Sequence, residues 1–570
     1  MSTTPRLRLG FRLTLVVACL VAMGAVAAGR MTYLNITDRD FLREQGESRS
    51  VRTEVTSASR GVIRDRHDEP LAVSTPVESV WVDPSTATDP KSEAFIDAEE
   101  LARIARLLDR DVGELRRKLA ANKAREFLYL ARRIDAQKGM ALRALSIDGL
   151  HFQREYKRYY PAGEIAAHVV GITNVDDHGV EGIELAYDEQ LRGVRGSRRV
   201  LKDRRGKIVR DLEYIQAERP GEDLALTVDL RLQYMAYREL KRTVNLEGAT
   251  SASLVMLDAQ SAEVLAIANQ PSFNPNRDLP GDRAAVRNRA VTDLYEPGST
   301  LKPFAMTAGL ETGVVNTNTM IDTSPGWIRV VNKTIEDPRN KGVLSLGQIL
   351  AQSSQVGITK VALQLPDGAL PSVLQRVGLT ELSGSGLPGE TMGALPRQVR
   401  HPLVRATLSY GYGFTVTPLQ LARSYSVFAS GGMLRPVSIV RRGRVSDGVR
   451  VIDARVAAQI SRMLEGVVGV GGTAPKARVP GYRVAGKTGT ARKVGPNGRY
   501  VDDRHVAFFA GFAPATNPRI VMIVIVDDPA GVKFGGGDVA APVFGRVAAQ
   551  ALRLLEVPPD GNIEDWGGTI

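Results

Sequence analysis

Cysteine is almost missing from this 570-residue chain: the one present, Cys19, sits inside the N-terminal apolar run, which excludes a disulfide framework and a thiolate metal site. Histidine is scarce as well. The six present show neither His-Glu-x-x-His nor any clustered spacing, so a zinc hydrolase is excluded and no metal or other cofactor is expected. No Gly-x-Ser-x-Gly elbow marks an α/β-hydrolase. No helix-turn-helix, zinc-finger or RNA-binding signature accompanies the excess of 75 Lys and Arg over 63 Asp and Glu. The net charge of +12 therefore reads as a solvated basic surface, and nucleic acid is not an expected partner. No fixed-period repeat or low-complexity tract is present, and 43% hydrophobic with 24% charged residues is the composition of a folding chain. Its length asks for two or three folding units.

One long apolar run exists. Leu13 to Gly29 carries no charge between Arg12 and Arg30, and its 17 residues reach the short end of a membrane span. We therefore expect a cytoplasmic tail over 1–12 and a transmembrane helix over 13–30. Arg6, Arg8 and Arg12 precede the run, so the positive-inside rule keeps the N-terminus in the cytoplasm and puts the remainder outside. A cleaved signal peptide is the competing reading, because Ala25-Val26-Ala27 resembles a cleavage site, but the run is long for one.

From 31 to 222 the chain is charged and mixed, with a β-like run at Ser79–Val82 and a helical region expected from Ala94 to Leu145. Leu101, Ile104, Leu108, Leu115 and Leu119 recur there at helical spacing and predict core packing. No catalytic cluster emerges in this half. The texture changes near Asp223. Ser253–Leu257 and Val264–Ala268 predict a buried hairpin, helices follow at Leu301–Thr312 and Leu346–Leu365, and strands return at Val484–Ala491, Ala507–Phe512 and Ile520–Val526. With a final helix at Val543–Leu555, the pattern predicts an α+β domain over 223–557, an antiparallel sheet packed against helices. Residues 558–570 are Gly-rich and acidic, and a loose tail is expected.

Three short motifs carry the chemistry. Ser299 opens Ser299-Thr300-Leu301-Lys302, the only S-x-x-K in the chain, ahead of an apolar helical run. That places Ser299 in a first helical turn, where free N–H groups favour developing negative charge, and brings Lys302 within reach of its hydroxyl. A lysine desolvated beside a second cation can lose its proton near neutral pH and act as the base that a serine nucleophile needs. Ser353-Ser354-Gln355 offers a hydroxyl for relaying that proton. In Lys487-Thr488-Gly489-Thr490, strand alternation puts Lys487 and Gly489 on one face, so Lys487 supplies a cation for a carboxylate and Gly489 leaves room for a substrate, with Thr488 and Thr490 adding hydroxyls. Each motif alone is weak; the three in this order make an active-site serine acyltransferase. His505 reads as a structural strand-end histidine.

This set resembles that of the class B penicillin-binding proteins, above all the septal, penicillin-binding protein 3 type. The resemblance extends to Arg60–Arg66 with Leu71-Ala72, to Arg158–Pro161 and to Gly179–Glu184, which look like the family's pedestal (dimerisation-type) motifs, and so assigns 31–222 to a pedestal and 223–557 to a transpeptidase domain. Asn288-Arg289-Ala290, Glu296-Pro297-Gly298, Gly411-Tyr412-Gly413 and Gly511–Pro514 also fall where the family has them. It implies a D,D-transpeptidase crosslinking peptidoglycan stem peptides through Ser299, an oxyanion hole between the N–H groups of Ser299 and Thr490, and acylation by β-lactams. It also implies work at the division septum beside a polytopic glycan polymerase and other division proteins at the cytoplasmic membrane. The family's middle box normally ends in Asn, and here it is Gln355. An elongation-type relative shares all of this chemistry; a catalytically weak scaffold and a β-lactam receptor are the remaining rivals.

Overall fold

The computed structural model describes residues 6–36, 51–202, 208–277, 279, 281, 283–495 and 497–561. The expected cytoplasmic tail lies in part, and the expected loose C-terminal tail from 562 onward, outside the described residues. The chain forms two compact units that interleave along the sequence: Met1–Ser59, Pro76–Lys157 and Gly193–Pro220 make the first, and Arg60–Thr75, Arg158–Arg192 and Gly221–Ile570 the second.

The N-terminal helix runs from Arg6 to Ile36, and Gly10–Leu34 is long and apolar enough to cross a membrane. At 1.5 Å per residue those 25 residues extend about 37 Å, more than a hydrocarbon core of about 30 Å requires.

In the first unit, helices Ala98–Leu107 and Val112–Ala121 start at Asp97 and Asp111, whose carboxylates accept backbone N–H bonds of the first turn. Leu101, Ile104, Leu115 and Leu119 are buried, as their spacing predicts. The single helical region expected over 94–145 is corrected. A strand, Leu128–Ile134, interrupts it and pairs antiparallel with Pro70–Val82, setting Tyr129 opposite Trp81. Phe127 packs on Trp81 with ring centroids 4.7 Å apart, so aromatic cross-strand packing outweighs helical propensity there. A separate three-stranded antiparallel sheet joins Val51–Thr56, Gly196–Lys202 and Ile208–Gln216.

The second unit is α+β, as expected. Its sheet contains β1 (Ser251–Asp258), β2 (Val264–Gln270), β3 (Ala485–Val494), β4 (Tyr500–Ala513) and β5 (Ile520–Asp527) in the order β2-β1-β5-β4-β3, all neighbours antiparallel. The helices that matter for the site are α1 (Leu230–Glu247), α2 (Lys302–Glu311), α3 (Leu346–Ala351), α4 (Gln355–Gln364), α5 (Pro418–Ala429), α6 (Ala454–Val468) and α7 (Ala540–Leu554). Strands β1, β2 and β5 are buried almost throughout, because the sheet is covered on both faces. The helix expected over 346–365 is two, α3 and α4, broken at Gln352–Ser354, where Ser353 adopts a left-handed φ of 57°.

The segments carrying Arg60, Arg158 and Gly179–Glu184 converge inside this unit. Glu184, fully buried, accepts from Arg60 at 2.5 Å and from Arg158 at 2.6 Å, and Arg60 reaches Asp188 at 2.6 Å. These ions pair with one another in a packed core.

Candidate active site

The turn that carries Ser299 is built by close packing. Gly298–Leu301 forms a 3-10 turn that runs straight into α2, with Lys302 as its first residue and Pro303 second. Ser299 thus precedes α2 in a tighter turn than the first α-helical turn expected of it. Tyr425 of α5, fully buried, donates to the Thr300 carbonyl at 2.7 Å, and Thr300 donates to the Pro297 carbonyl at 2.7 Å. Gly298 donates to the Gly411 carbonyl at 3.2 Å. A Cβ on Gly411, whose φ is 85°, would lie 2.0 Å from the Gly298 carbonyl oxygen, so only glycine closes this turn.

Lys302 and Lys487 are fully buried and meet at Ser353. The Lys302 amine donates to the Ser353 carbonyl at 2.6 Å and approaches its hydroxyl at 3.1 Å, while Lys487 reaches the same hydroxyl at 2.9 Å. The Lys302 amine is thus directed at Ser353, with the Ser299 hydroxyl one turn back. Burial first, then the charges of Lys487 and Lys341, pull Lys302 well below the usual lysine range against the opposing Asp337. Burial and then Lys341 bring Lys487 down to about 7.

The Ser353 turn is held from both sides. Asp337 accepts from the Ser354 hydroxyl at 2.5 Å and the Gln355 N–H at 2.6 Å, and Ser354 itself caps α4 by accepting from Gly357 N–H at 2.9 Å. A carboxylate at a helix N-terminus complements its dipole. Lys341 donates to the Gln352 carbonyl at 2.7 Å, satisfying the C-terminus of α3. Asp337 and Lys341 escaped the motif reading, since neither stands in a recognisable box; only proximity in the fold reveals them. Gln355 is the first residue of α4, and its side chain is half-buried.

Strand β3 lies at the sheet edge, beside the nucleophile turn. The room expected for substrate at Gly489 is occupied: a Cβ there would meet the Pro297 carbonyl oxygen at 2.9 Å and Thr300 Cγ2 at 3.0 Å. The glycine admits the turn bearing Ser299, because Lys487 and Gly489 share the face that turn packs on. Thr488 is buried and hydrogen-bonds Thr473 at 2.8 Å, and the Thr490 hydroxyl accepts from Gly536 N–H at 3.1 Å. The Thr490 backbone abuts Gly298, with its N atom 3.6 Å from where a Gly298 Cβ would stand. Gly481–Thr488 also satisfies the G-x-x-x-x-G-K-[ST] spacing of a phosphate-binding loop. Residues 485–494 are strand, not a loop entering a helix, and Gly486 is closed off by Phe509, 2.6 Å from a Cβ placed there. His505 lies in β4, stacked on Phe534 at 3.9 Å.

Among the described residues no group of three or more His, Cys, Asp or Glu could hold a metal ion. A serine hydroxyl bridging two buried amines beside a serine-bearing turn at a sheet edge suits serine acyl transfer. Residues 252–549 match the penicillin binding protein transpeptidase domain model, and 55–226 the penicillin-binding protein dimerisation domain model. The chain belongs to the penicillin-binding protein transpeptidase family. It is 40% identical to the peptidoglycan D,D-transpeptidase FtsI of Escherichia coli, over 97% of this chain and 93% of that protein. It is 39% identical to the probable peptidoglycan D,D-transpeptidase PbpC of Pseudomonas aeruginosa, over 98% and 97%. The crystal structure of penicillin binding protein 3 of Mycobacterium tuberculosis, complexed with aztreonam, matches with a TM-score of 0.68 at 29% identity, covering 89% of this chain and 98% of that one.

Proposed function

We propose that this chain is a peptidoglycan D,D-transpeptidase that crosslinks stem peptides in septal wall synthesis and is acylated by β-lactams. The observation that carries the chemistry is the Ser353 hydroxyl held between the amines of Lys302 and Lys487, beside the turn that bears Ser299. The names of relatives matching over nearly the full length carry the substrate.

In this reading Ser299 Oγ attacks the penultimate D-alanine carbonyl while neutral Lys302 takes its proton. The oxyanion forms between the N–H groups of Ser299 and Thr490. The peptide C–N bond then breaks and the proton passes to the leaving D-alanine amine by way of Ser353; an amine of a neighbouring stem attacks the Ser299 ester, its C–O bond breaks, and the proton lost by that amine returns to Ser299 Oγ through Lys302, leaving the crosslink. Lys487 holds the substrate carboxylate, with Thr488 as its buried support and Gln355 facing the substrate from the start of α4. Gly489 serves by letting the nucleophile turn lie against β3.

The helix at 6–36 anchors the chain to the cytoplasmic membrane as a single pass, N-terminus inside, by the arginines of its first turns, ahead of the apolar run. A polytopic glycan polymerase and other division proteins are the proposed partners. The chemistry is tested by mass spectrometry of penicillin-treated protein: the adduct maps to Ser299 and is lost in Ser299→Ala, and an adduct on another residue refutes the mechanism. The septal role is tested by imaging a fluorescent fusion; side-wall localisation would assign the chain to elongation instead.

A further inference from the structure

Three amines, not two, converge on the break between α3 and α4. Lys341 donates to the Gln352 carbonyl at 2.7 Å, Lys302 to the adjacent Ser353 carbonyl at 2.6 Å, and Lys487 to the Ser353 hydroxyl at 2.9 Å. The one carboxylate drawn into the set is Asp337, which is buried and spends its oxygens on Ser354 and Gln355. Lys341 is only half-buried and touches neither Ser299 nor the other two amines through a hydrogen bond, so it does not belong to the proton path described above.

We propose that Lys341 is a positioning residue of this acyltransferase: its ammonium fixes the Gln352–Ser353 turn and lends positive charge to the field acting on the two amines that meet at Ser353. The inference rests on the reading of Lys302 as base and Lys487 as carboxylate receptor. The groups facing those amines are each other, from α2 and β3, and Asp337 and Lys341 from the segment ahead of α3. Three cations and one carboxylate cannot all stay charged in a buried site at little cost, and the fully buried amines yield first. A charge at Lys341 disfavours protonation of both, adding to burial, which is the larger cause of the lowered lysine at 302 and of the value of about 7 at 487. Removing it must raise both, leaving more of the base protonated at neutral pH.

The test is the second-order rate of acylation of the full-length, detergent-solubilised protein by a fluorescent penicillin, followed from about pH 5 to about pH 9. Lys341→Gln and Lys341→Met are expected to move the acid limb of the profile upward by roughly one pH unit, an approximately tenfold slower reaction at a given pH on that limb. Lys341→Arg keeps the charge and should leave the limb in place. Neutral variants whose profile is scaled down without moving, or an arginine variant that shifts as they do, would overturn the proposal. Failure of both neutral variants to fold would overturn it too, by making Lys341 a structural residue. Ser299→Ala run in parallel separates the two levels: labelling that survives it sinks the mechanism itself, whereas labelling lost there with an unmoved limb sinks only the role of Lys341.

Discussion

Lys302 and Lys487 point at one oxygen, the Ser353 hydroxyl, at 3.1 and 2.9 Å. A single hydroxyl cannot fully satisfy two buried ammonium groups, so the arrangement favours one amine without its added proton. The two titrate as a pair, and the macroscopic profile belongs to both. Lys302, held low, must be neutral to accept a proton, which gives a rate rising with pH on the acid side. Lys487, at about 7, must be charged to hold a carboxylate, which weakens substrate capture above that value. The acylation rate by carboxylate-bearing β-lactams is therefore expected to be bell-shaped in pH, and stopped-flow measurement of a monotonic rise through the alkaline range would contradict the assignment of Lys487.

Ser353→Ala removes the meeting point while leaving the loop caps at Ser354 and Asp337 in place. Acylation is expected to fall by about 10²- to 10⁴-fold, the usual worth of a positioned proton carrier, with the fold intact by circular dichroism. A loss below tenfold would assign Ser353 a purely structural part.

Gly489→Ala drives a methyl group to within 3.0 Å of Thr300 Cγ2 and 2.9 Å of the Pro297 carbonyl oxygen. The turn bearing Ser299 has to retreat, and a displacement of about 1 Å at a reacting atom costs on the order of 10²-fold. Benzylpenicillin acylation kinetics check this directly; unchanged kinetics would mean that strand β3 gives way in place of the turn.

Gln355→Asn shortens the side chain by one methylene and keeps both amide functions. Acylation by a fluorescent penicillin is expected to stay level or rise, because Asp337 binds the backbone N–H at this position and does not depend on the side chain. A complete loss of labelling would show that the longer amide is required.

Glu184→Gln strips the carboxylate from between two buried guanidinium groups, Arg60 at 2.5 Å and Arg158 at 2.6 Å. Breaking a buried ion set in this way costs about 3 to 5 kcal/mol. A lowered midpoint of chemical unfolding, with residual folded protein still labelled at Ser299, is the expected outcome.

The sheet and most helices were legible because their signals are local. Ser253–Leu257, Val264–Ala268 and Ile520–Val526 are continuous apolar runs of strand length, and each became a buried strand. Ser299, Lys302, Ser353 and Lys487 were legible as motifs in order. What stayed hidden depends on tertiary packing. The strand at Leu128–Ile134 owes its state to Trp81 on its neighbour, and the break at Ser353 owes its geometry to Asp337, 17 residues before Ser354. Gly489 looked like space for a ligand because spacing alone cannot say which surface fills a missing side chain.

The strand order of the second unit ties its completion to synthesis of its last third. Strand β3, carrying Lys487, reaches the β1–β2 hairpin only through β4 and β5, and β5 closes the sheet with residues 520–527. At a ribosomal rate of about 5 to 20 residues per second, the chain passes many seconds with Ser299 made but its partners on β3 not yet emerged. A polypeptide stalled before residue 485 lacks β3 and with it Lys487, the carboxylate receptor of the proposed mechanism.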